Sequence, residues 1–319
     1  MLIDKYGRKI EYLRISVTDR CNFRCIYCGV RKNWKWLPHN EILTFEEIEK
    51  IVEVGVKLGI KRVRLTGGEP LLRKDIEILI KKLSKIPEIE DLSLTTNGFF
   101  LEFMAEKLKK AGLKRINISL DTLNPEKFIK ITGVDGFSKV WQGIKKALKL
   151  GFDPVKINVV IIKGINDDEI LDLAKLTLDM PLEIRFIEFM PIEGNGIWDK
   201  KNIFTIKEIK NILEKFKPLI RTISSGGGPA RVWKWENAKG KIGFISPISD
   251  CFCEKCNRLR ITPDGKLKPC LFSNHEIDLK PILRENRGSL EKAFIEALKI
   301  KPKNWGNNFI AKPMNLIGG

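Results

Sequence analysis

The stretch YLRISVTDRCNFRCIYC, residues 12–28, joins a run typical of a buried strand to three closely spaced cysteines. Residues 12–17 are rich in apolar and β-branched side chains, a composition that predicts a strand. Cys21, Cys25 and Cys28 follow, with polar residues around them. Three thiolates on a short loop can hold three irons of a [4Fe–4S] cluster and leave the fourth iron open to a small molecule. We therefore interpret this stretch as a strand followed by a catalytic iron–sulfur site.

The spacing of the three cysteines leaves two other interpretations open. Positions i, i+4 and i+7 share one face of a helix, so the cysteines could be three small core residues. A zinc site is the second alternative, but it needs a fourth ligand, and His39, the nearest histidine, lies eleven residues beyond Cys28. The polar neighbours favour the cluster.

Outward from this stretch, short β-rich runs alternate with amphipathic helical patterns as far as about residue 190. The predicted strands cover residues 12–17, 62–65, 92–95, 115–120, 155–161 and 183–187. The predicted helices cover residues 44–58, 75–85, 102–111, 138–150 and 167–178. Repeated βα units of this kind predict an α/β fold with a parallel sheet, open or closed into a barrel.

Unusual residues stand directly after four of these strands. Cys21 follows the first strand, Gly67-Gly-Glu-Pro70 the second, Thr96-Asn-Gly98 the third and Asp121 the fourth. The carboxyl ends of parallel strands meet at one edge of the sheet, where α/β proteins place their chemistry. We expect these residues to lie together at one rim.

The composition sets limits on the class of protein. The 319 residues are 43% hydrophobic and 31% charged, as in ordinary globular chains. No apolar run has membrane-spanning length and the first residues lack a hydrophobic leader, so we expect a cytoplasmic protein without a membrane partner. The net charge of +18 favours an anionic partner, although most lysines have the spacing of solvated helix faces.

The pattern changes after Pro191, and we divide the chain into a repeating region, residues 1–190, and a smaller region, residues 191–319. Residues 231–235 and 241–245 are predicted strands, and a helix is predicted after Ser289. Between the second of these strands and that helix, Cys253-x2-Cys256-x13-Cys270 gives a second trio, and Arg258-Leu259-Arg260 follows closely after Cys256. Such a trio is most often structural zinc, completed here by Cys251 or His275. Alternate arginines on an extended segment point to one side and match phosphate oxygens, which favours a phosphorylated substrate beside a second metal centre.

Cys-x3-Cys-x2-Cys, with Tyr27 before its last cysteine, resembles the signature of the radical S-adenosylmethionine (SAM) superfamily. Gly67-Gly-Glu-Pro70 is similar to the glycine-rich motif of that superfamily. The resemblance implies a partial (β/α)6 barrel, TIM-like, in which SAM binds the open iron and is cleaved to a carbon-centred radical.

Nearly the whole chain is similar to the GTP 3′,8-cyclase family of molybdenum cofactor biosynthesis. The similarity rests on residues 13–28, 64–70, 94–98, 117–121 and 183–190, on the second cysteine trio and on the Gly-Gly end. It implies two [4Fe–4S] clusters, the second held by Cys253, Cys256 and Cys270 with an open iron for the guanine base. The implied SAM contacts are Tyr27, Gly68, Ser119 and Met190. The implied GTP contacts are Arg14, Arg64, Thr95, Lys156, Arg258, Leu259 and Arg260. The implied catalytic residues are Arg258 and Arg260 together with Gly318 and Gly319 of a tail that enters the active site.

The resemblance also implies partners: GTP, an electron donor and cyclic pyranopterin monophosphate synthase as the next enzyme, with a homodimer as the candidate assembly and no nucleic acid. Each contact has a plainer interpretation, for example Met190 as core filler or Lys156 as a solvated strand residue. Cys251 departs from the family pattern, and we expect it to be a buried thiol that binds no iron. Two rival functions remain: another radical SAM enzyme with an auxiliary cluster, acting on a peptide or RNA, and a zinc-stabilised nucleic-acid-binding protein.

Overall fold

Six parallel strands of the repeating region form the centre of one sheet. The computed structural model describes residues 1–30, 34–192, 196–223, 228–306 and 312–318. The strands are β1 Tyr12–Ser16, β2 Arg62–Thr66, β3 Asp91–Thr96, β4 Arg115–Ser119, β5 Val155–Ile161 and β6 Leu182–Glu188. Each pairs in parallel with the next along the chain. The predicted strands are confirmed, and no end differs from the prediction by more than one residue.

Helices connect these strands, and capping residues fix where they begin. They are α1 Phe45–Lys57, α2 Ile76–Leu83, α3 Leu101–Lys110, α4 Pro125–Thr132, α5 Phe137–Lys149 and α6 Ile170–Asp179. Helix α1 begins with a capping box, in which Thr44 and Glu47 each accept a hydrogen bond from the backbone N–H of the other. Helix α4 was not predicted, although Asn124 caps its start and Gly133 its end.

The strands after residue 190 lengthen the same sheet at both edges. The later elements are α7 Ile206–Phe216, β7 Leu219–Thr222, β8 Arg231–Trp235, β9 Lys241–Ile245, β10 Arg258–Ile261, β11 Lys266–Lys268, β12 Ile277–Asp278, α8 Lys280–Glu285, α9 Leu290–Lys299 and α10 Met314–Ile317. The spatial order is β12-β11-β10-β1-β2-β3-β4-β5-β6-β9-β8-β7, with β10 parallel to β1 and β9 parallel to β6. The division at residue 190 stays a prediction, since no boundary in the sheet separates the two regions.

The sheet has one apolar face and one polar face. On β1, Leu13 and Ile15 belong to the hydrophobic core, while Arg14 between them lines a cavity. Residues of all six central strands and of β10 line this same cavity. A sheet whose first and last strands face one space is curved, as the partial barrel requires. Within the described residues the longest helices have 13 residues, and none combines the length and apolar character needed to cross a membrane.

Candidate active site

The first cysteine trio lies on an irregular loop after β1, not on a helix, so the interpretation as three core residues of one helical face is wrong. Hydrogen bonds shape the loop around sulfur: the Phe23 N–H donates to Cys21 Sγ at 3.4 Å, and the Cys28 N–H donates to the Cys25 carbonyl at 3.0 Å. All three thiols are free and line the large cavity. The loop therefore presents three sulfur atoms to one space.

The environment of these thiols suits a bound cation. Burial raises the pKa of Cys21 to about 12, and the carboxyl group of Glu69 adds to the rise. A hydrogen bond with Cys28 and burial raise the pKa of Cys25 well above its usual value. Thiols in such surroundings lose their protons only when a positive metal compensates the charge. Three of them with one open corner fit a [4Fe–4S] cluster whose fourth iron a small molecule completes.

The glycine-rich loop after β2 packs directly against the cysteine loop. The Gly68 N–H donates to the Thr18 carbonyl at 2.8 Å, and a Cβ at Gly68 would lie 2.3 Å from the Arg20 carbonyl oxygen. Only glycine permits this approach. Glu69 is fully buried and accepts hydrogen bonds from the Thr96 hydroxyl at 2.7 Å and the Asn97 N–H at 2.6 Å. Its carboxylate ties the loops after β2 and β3, and burial raises its pKa to about 7.

Tyr27 and Asp121 connect the cysteine loop to the end of β4. The Tyr27 hydroxyl donates to Asp121 Oδ2 at 2.6 Å, while Asp121 Oδ1 accepts the Val160 N–H at 2.8 Å. Burial raises the pKa of Asp121 to about 6. Ser119 and Met190 line the same part of the cavity. The expectation that the residues after β1 to β4 meet at one rim is confirmed.

The cavity has a volume of about 260 Å³, and guanidinium groups line the part away from the first cysteines. Of the predicted GTP contacts, the cavity is lined by Arg14, Arg64, Thr95, Arg258 and Arg260. Leu259 points the other way, into the hydrophobic core, so its side chain does not line the cavity. Lys156 is not among the residues that line the cavity. Its side chain is buried, with Nζ 3.7 Å from Glu183 Oε2, and burial lowers its pKa to about 7.

Arg185 of β6 is a cavity residue that the sequence analysis missed. Its Nε donates to Glu183 Oε1 at 2.6 Å, which fixes the plane of the guanidinium group. Its Nη2 is buried and has no hydrogen-bond partner within the described part of the chain. A buried cationic donor without an acceptor is costly, so it indicates a position for an anionic or carbonyl ligand. In the predicted strand 183–187, Arg185 and Glu183 are two residues apart and therefore share one face. This alternation is the sequence signal that could have identified Arg185.

The C-terminal tail reaches the cavity. The Met314 N–H donates to the Cys28 carbonyl at 3.0 Å, and Arg260 Nη1 donates to the Gly318 carbonyl at 2.7 Å. A Cβ at Gly318 would lie 2.4 Å from Thr66 Oγ1, so the chain passes close to the end of β2. Residues 314–318 are therefore packed against the loops and strands that line the cavity. Gly319 lies outside the described residues.

The second cysteine trio lines a smaller cavity of about 60 Å³ that shares Met190, Arg258 and Arg260 with the large one. Burial opposes ionisation of Cys256, but the positive charges of Arg258 and Lys301 lower its pKa to about 6. Burial raises the pKa of Cys253 to about 12. Cys251 is exposed, which corrects the expectation of a buried thiol. All four thiols are free, and three of them suit a second cluster.

The two trios lie at opposite ends of a pair of neighbouring parallel strands. Cys21 follows the carboxyl end of β1, whereas Cys256 precedes the amino end of β10, and Arg14 pairs with Arg260 between them. At about 3.3 Å per residue, strands of this length separate the two ends by roughly 15 Å. A molecule of nucleotide size can therefore span from one trio to the other.

The cysteines are not arranged as a zinc site. In the residues that the structure describes, no group of three or more His, Cys, Asp or Glu side chains is placed to hold a single metal ion. An iron–sulfur cube spaces its cysteines more widely, because each one binds a different iron.

Comparison with known proteins agrees with this geometry. A sequence profile described as the radical SAM superfamily matches residues 15–177, and one described as Molybdenum Cofactor Synthesis C matches residues 182–307. Proteins named GTP 3′,8-cyclase from Alkaliphilus metalliredigens and Thermodesulfovibrio yellowstonii are each 48% identical to this chain over 321 residues, with 99% of both chains covered.

Solved structures share the fold at low sequence identity. Streptococcus suis SuiB bound to S-adenosylmethionine has a TM-score of 0.62 at 17% identity and covers 90% of this chain and 68% of its own. Methylornithine synthase (PylB) has a TM-score of 0.52 at 21% identity, covering 65% of this chain and 62% of its own. From its fold, its two profiles and its full-length relatives, the chain belongs to the GTP 3′,8-cyclase family of the radical SAM superfamily.

Proposed function

We propose that this chain converts GTP to 3′,8-cyclo-7,8-dihydro-GTP, the first step of molybdenum cofactor biosynthesis. Relatives that match it from end to end are named for this cyclisation. The observation that supports it in the structure is a single cavity with three thiols at one end and arginines beside a second thiol trio at the other.

Radical SAM enzymes use a [4Fe–4S] cluster and SAM, and the residues for both are present here. Cys21, Cys25 and Cys28 would hold the cluster, and Tyr27, Gly68, Ser119 and Met190 border the adjoining space for SAM. Bound there, the cluster and SAM would supply a 5′-deoxyadenosyl radical able to take hydrogen from C3′ of the GTP ribose. Asp121 fixes the Tyr27 ring through its hydroxyl, so one wall of that space is set before any ligand enters.

Arginines at the other end would bind the nucleotide. Arg14, Arg64, Arg258 and Arg260 bring positive charge into a largely enclosed cavity, where it offsets the charge of a triphosphate. Arg185 adds a donor without a protein acceptor among the described residues. Lys156, behind this lining, would add positive charge without direct contact, and Leu259 would contribute through its backbone. Cys253, Cys256 and Cys270 would hold the second cluster, with its open iron toward the base.

The protein does little acid–base work in this scheme. Its residues hold C3′ toward the first trio, while the arginines and the second trio fix the triphosphate and the base at the other end of the cavity. Gly318, near the end of the tail, would close the space against water, with Arg260 holding its carbonyl. Bonding of C3′ to C8, with one electron and one proton added, then gives the product.

Isotope transfer tests the assignment. Under nitrogen, with a reductant and SAM, GTP carrying deuterium at C3′ is expected to give deuterated 5′-deoxyadenosine and a cyclised isomer of GTP. ATP serves as the control nucleotide, because it has the same triphosphate but a different base edge for the second cluster. Formation of 5′-deoxyadenosine at the same rate without GTP, or transfer of deuterium from ATP as well, would contradict the assignment.

The remaining partners are part of the same proposal. The reaction consumes electrons, so an electron donor of low potential is required, and its product requires a following enzyme, cyclic pyranopterin monophosphate synthase. A homodimer and a cytoplasmic location stay predictions.

A further inference from the structure

Lys301 is a buried cation beside the second cysteine trio. It lies two residues after α9, its relative exposure is 1%, and it is among the largest fully buried side chains of the protein. Burying an ammonium group is costly unless hydrogen bonds and opposite charge compensate it. Its partners therefore show what the position is for.

The ammonium group of Lys301 has three acceptors. Nζ lies 3.8 Å from Cys256 Sγ, 2.8 Å from the Arg258 carbonyl oxygen and 2.6 Å from the Pro269 carbonyl oxygen. An ammonium group has three N–H donors, whereas a neutral amine has two, so three acceptors match the charged form. Pro269 directly precedes Cys270. One side chain thus joins the segments that carry two of the three predicted ligands.

Arg8 ties the third ligand to the same segment. Its Nη1 donates to the carbonyl oxygens of Cys253 at 2.8 Å and Lys303 at 2.9 Å, and its Nη2 donates to the Pro302 carbonyl oxygen at 2.7 Å. Asp4, also buried, holds Nε at 2.6 Å. Arg8 therefore contacts the backbone of Cys253, whereas Lys301 contacts the sulfur of Cys256.

We propose that Lys301 is a positioning residue for the second cluster, donating an N–H···S hydrogen bond to Cys256 and raising the reduction potential of that cluster. The inference rests on the proposed function, because it assumes the second cluster. A reduced cluster carries one more negative charge, so a nearby cation and a donor to its sulfur stabilise the reduced form. Arg8 fixes the Cys253 backbone and affects retention of the cluster more than its potential.

The test compares Lys301→Met with Lys299→Met. Both remove one ammonium group at the end of α9, but Lys299 is an exposed side chain that pairs only with Glu296 among the partners that the structure describes. Cys21, Cys25 and Cys28 are replaced by Ala in both full-length chains, so that the remaining cluster is the second one. Potentiometric titration followed by electron paramagnetic resonance measures its potential.

Lys301→Met is expected to lower the potential, and a tenfold change in the reduction equilibrium corresponds to about 59 mV for one electron. Lys299→Met is expected to leave it unchanged. An unchanged potential in Lys301→Met overturns the inference while leaving the proposed function standing. Absence of iron from the parent chain, with Lys301 intact, contradicts the second cluster itself.

A measurement on the chain with Lys301 intact covers the case in which Lys301→Met loses its cluster or does not fold. Protein grown with lysine labelled with ¹⁵N at the ε-amino nitrogen alone, with the second cluster reduced, is expected to show a ¹⁵N coupling in pulsed electron paramagnetic resonance, because Nζ donates to the Cys256 sulfur. No ¹⁵N coupling would overturn the inference whatever the variant does.

Discussion

The two cysteine trios differ in how the protein balances their charge. Around the first trio, burial and the carboxyl group of Glu69 raise the pKa of Cys21, so this thiol depends on bound iron for its ionisation. Around the second, Arg258 and Lys301 lower the pKa of Cys256 despite its burial. Cys253 of the second trio keeps a raised pKa, as Cys21 does, so the difference lies in the two cations beside Cys256. Two trios of free cysteines in one protein therefore do not have equal chemistry.

The largest expected effect comes from the first trio. Cys25→Ser removes one of the three predicted iron ligands, so the first cluster should not assemble and cleavage of SAM should stop. The measurement is 5′-deoxyadenosine formed under nitrogen with a chemical reductant, alongside iron content. Cleavage at the parent rate in Cys25→Ser would show that this trio does not carry the catalytic cluster.

The second trio should behave differently under the same assay. Cys253→Ser is expected to keep about half of the iron and the ability to cleave SAM slowly, since each cluster holds the same number of irons. Cyclisation of GTP should fall to background, because the base loses its metal contact. Full iron content with unchanged cyclisation in Cys253→Ser would show that this trio does not hold a second cluster.

Local pattern accounts for how well the sequence predicted the strands. The runs 62–66 and 155–161 mostly alternate apolar or β-branched residues with polar ones, and a glycine or proline adjoins one end of each, so neighbours in the chain mark their ends. Pairing between β10 and β1 was not predictable in this way, because it joins residues almost 250 positions apart. Helix α4 could have been found from Asn124-Pro125 and Gly133, which are ordinary start and stop signals.

The residues of the candidate site also fall into two groups, those predictable from a local pattern and those that only the fold identifies. Cysteine spacing and alternate arginines are local patterns, and the structure brings those residues to shared cavities. Lys301, Arg8 and Arg185 belong to neither of these patterns in the sequence, where a lysine or arginine most often means a solvated side chain. Their burial depends on elements distant in the chain, so only the fold identifies them.

A smaller effect is expected at the nucleotide end between the trios. Arg185→Met removes a buried donor that faces the cavity, and hydrogen bonds to charged groups contribute about 1.5–3 kcal/mol. The KM for GTP should therefore rise roughly 10- to 100-fold, with cleavage of SAM intact. Arg221→Met, on the exposed edge strand β7, is the matched control and should leave KM unchanged. A KM for GTP that stays the same in Arg185→Met would place the nucleotide elsewhere.

The smallest effect is expected at Cys251, which decides whether the second trio has an open corner. Its thiol is exposed and lies within hydrogen-bonding reach of Cys253, so it could be a fourth ligand by position. Ligation would require two cysteines separated by one residue to bind neighbouring irons, and it would close the cluster against the guanine base.

Cys251→Ser should therefore retain the iron content, the spectrum of the second cluster and GTP cyclisation. Mössbauer spectra and iron quantification on the variant and the parent chain provide the comparison. Loss of the second cluster in Cys251→Ser would mean four sulfur ligands at that site. The two clusters would then differ: the first would be an open catalytic centre, and the second would be a closed centre that only transfers electrons.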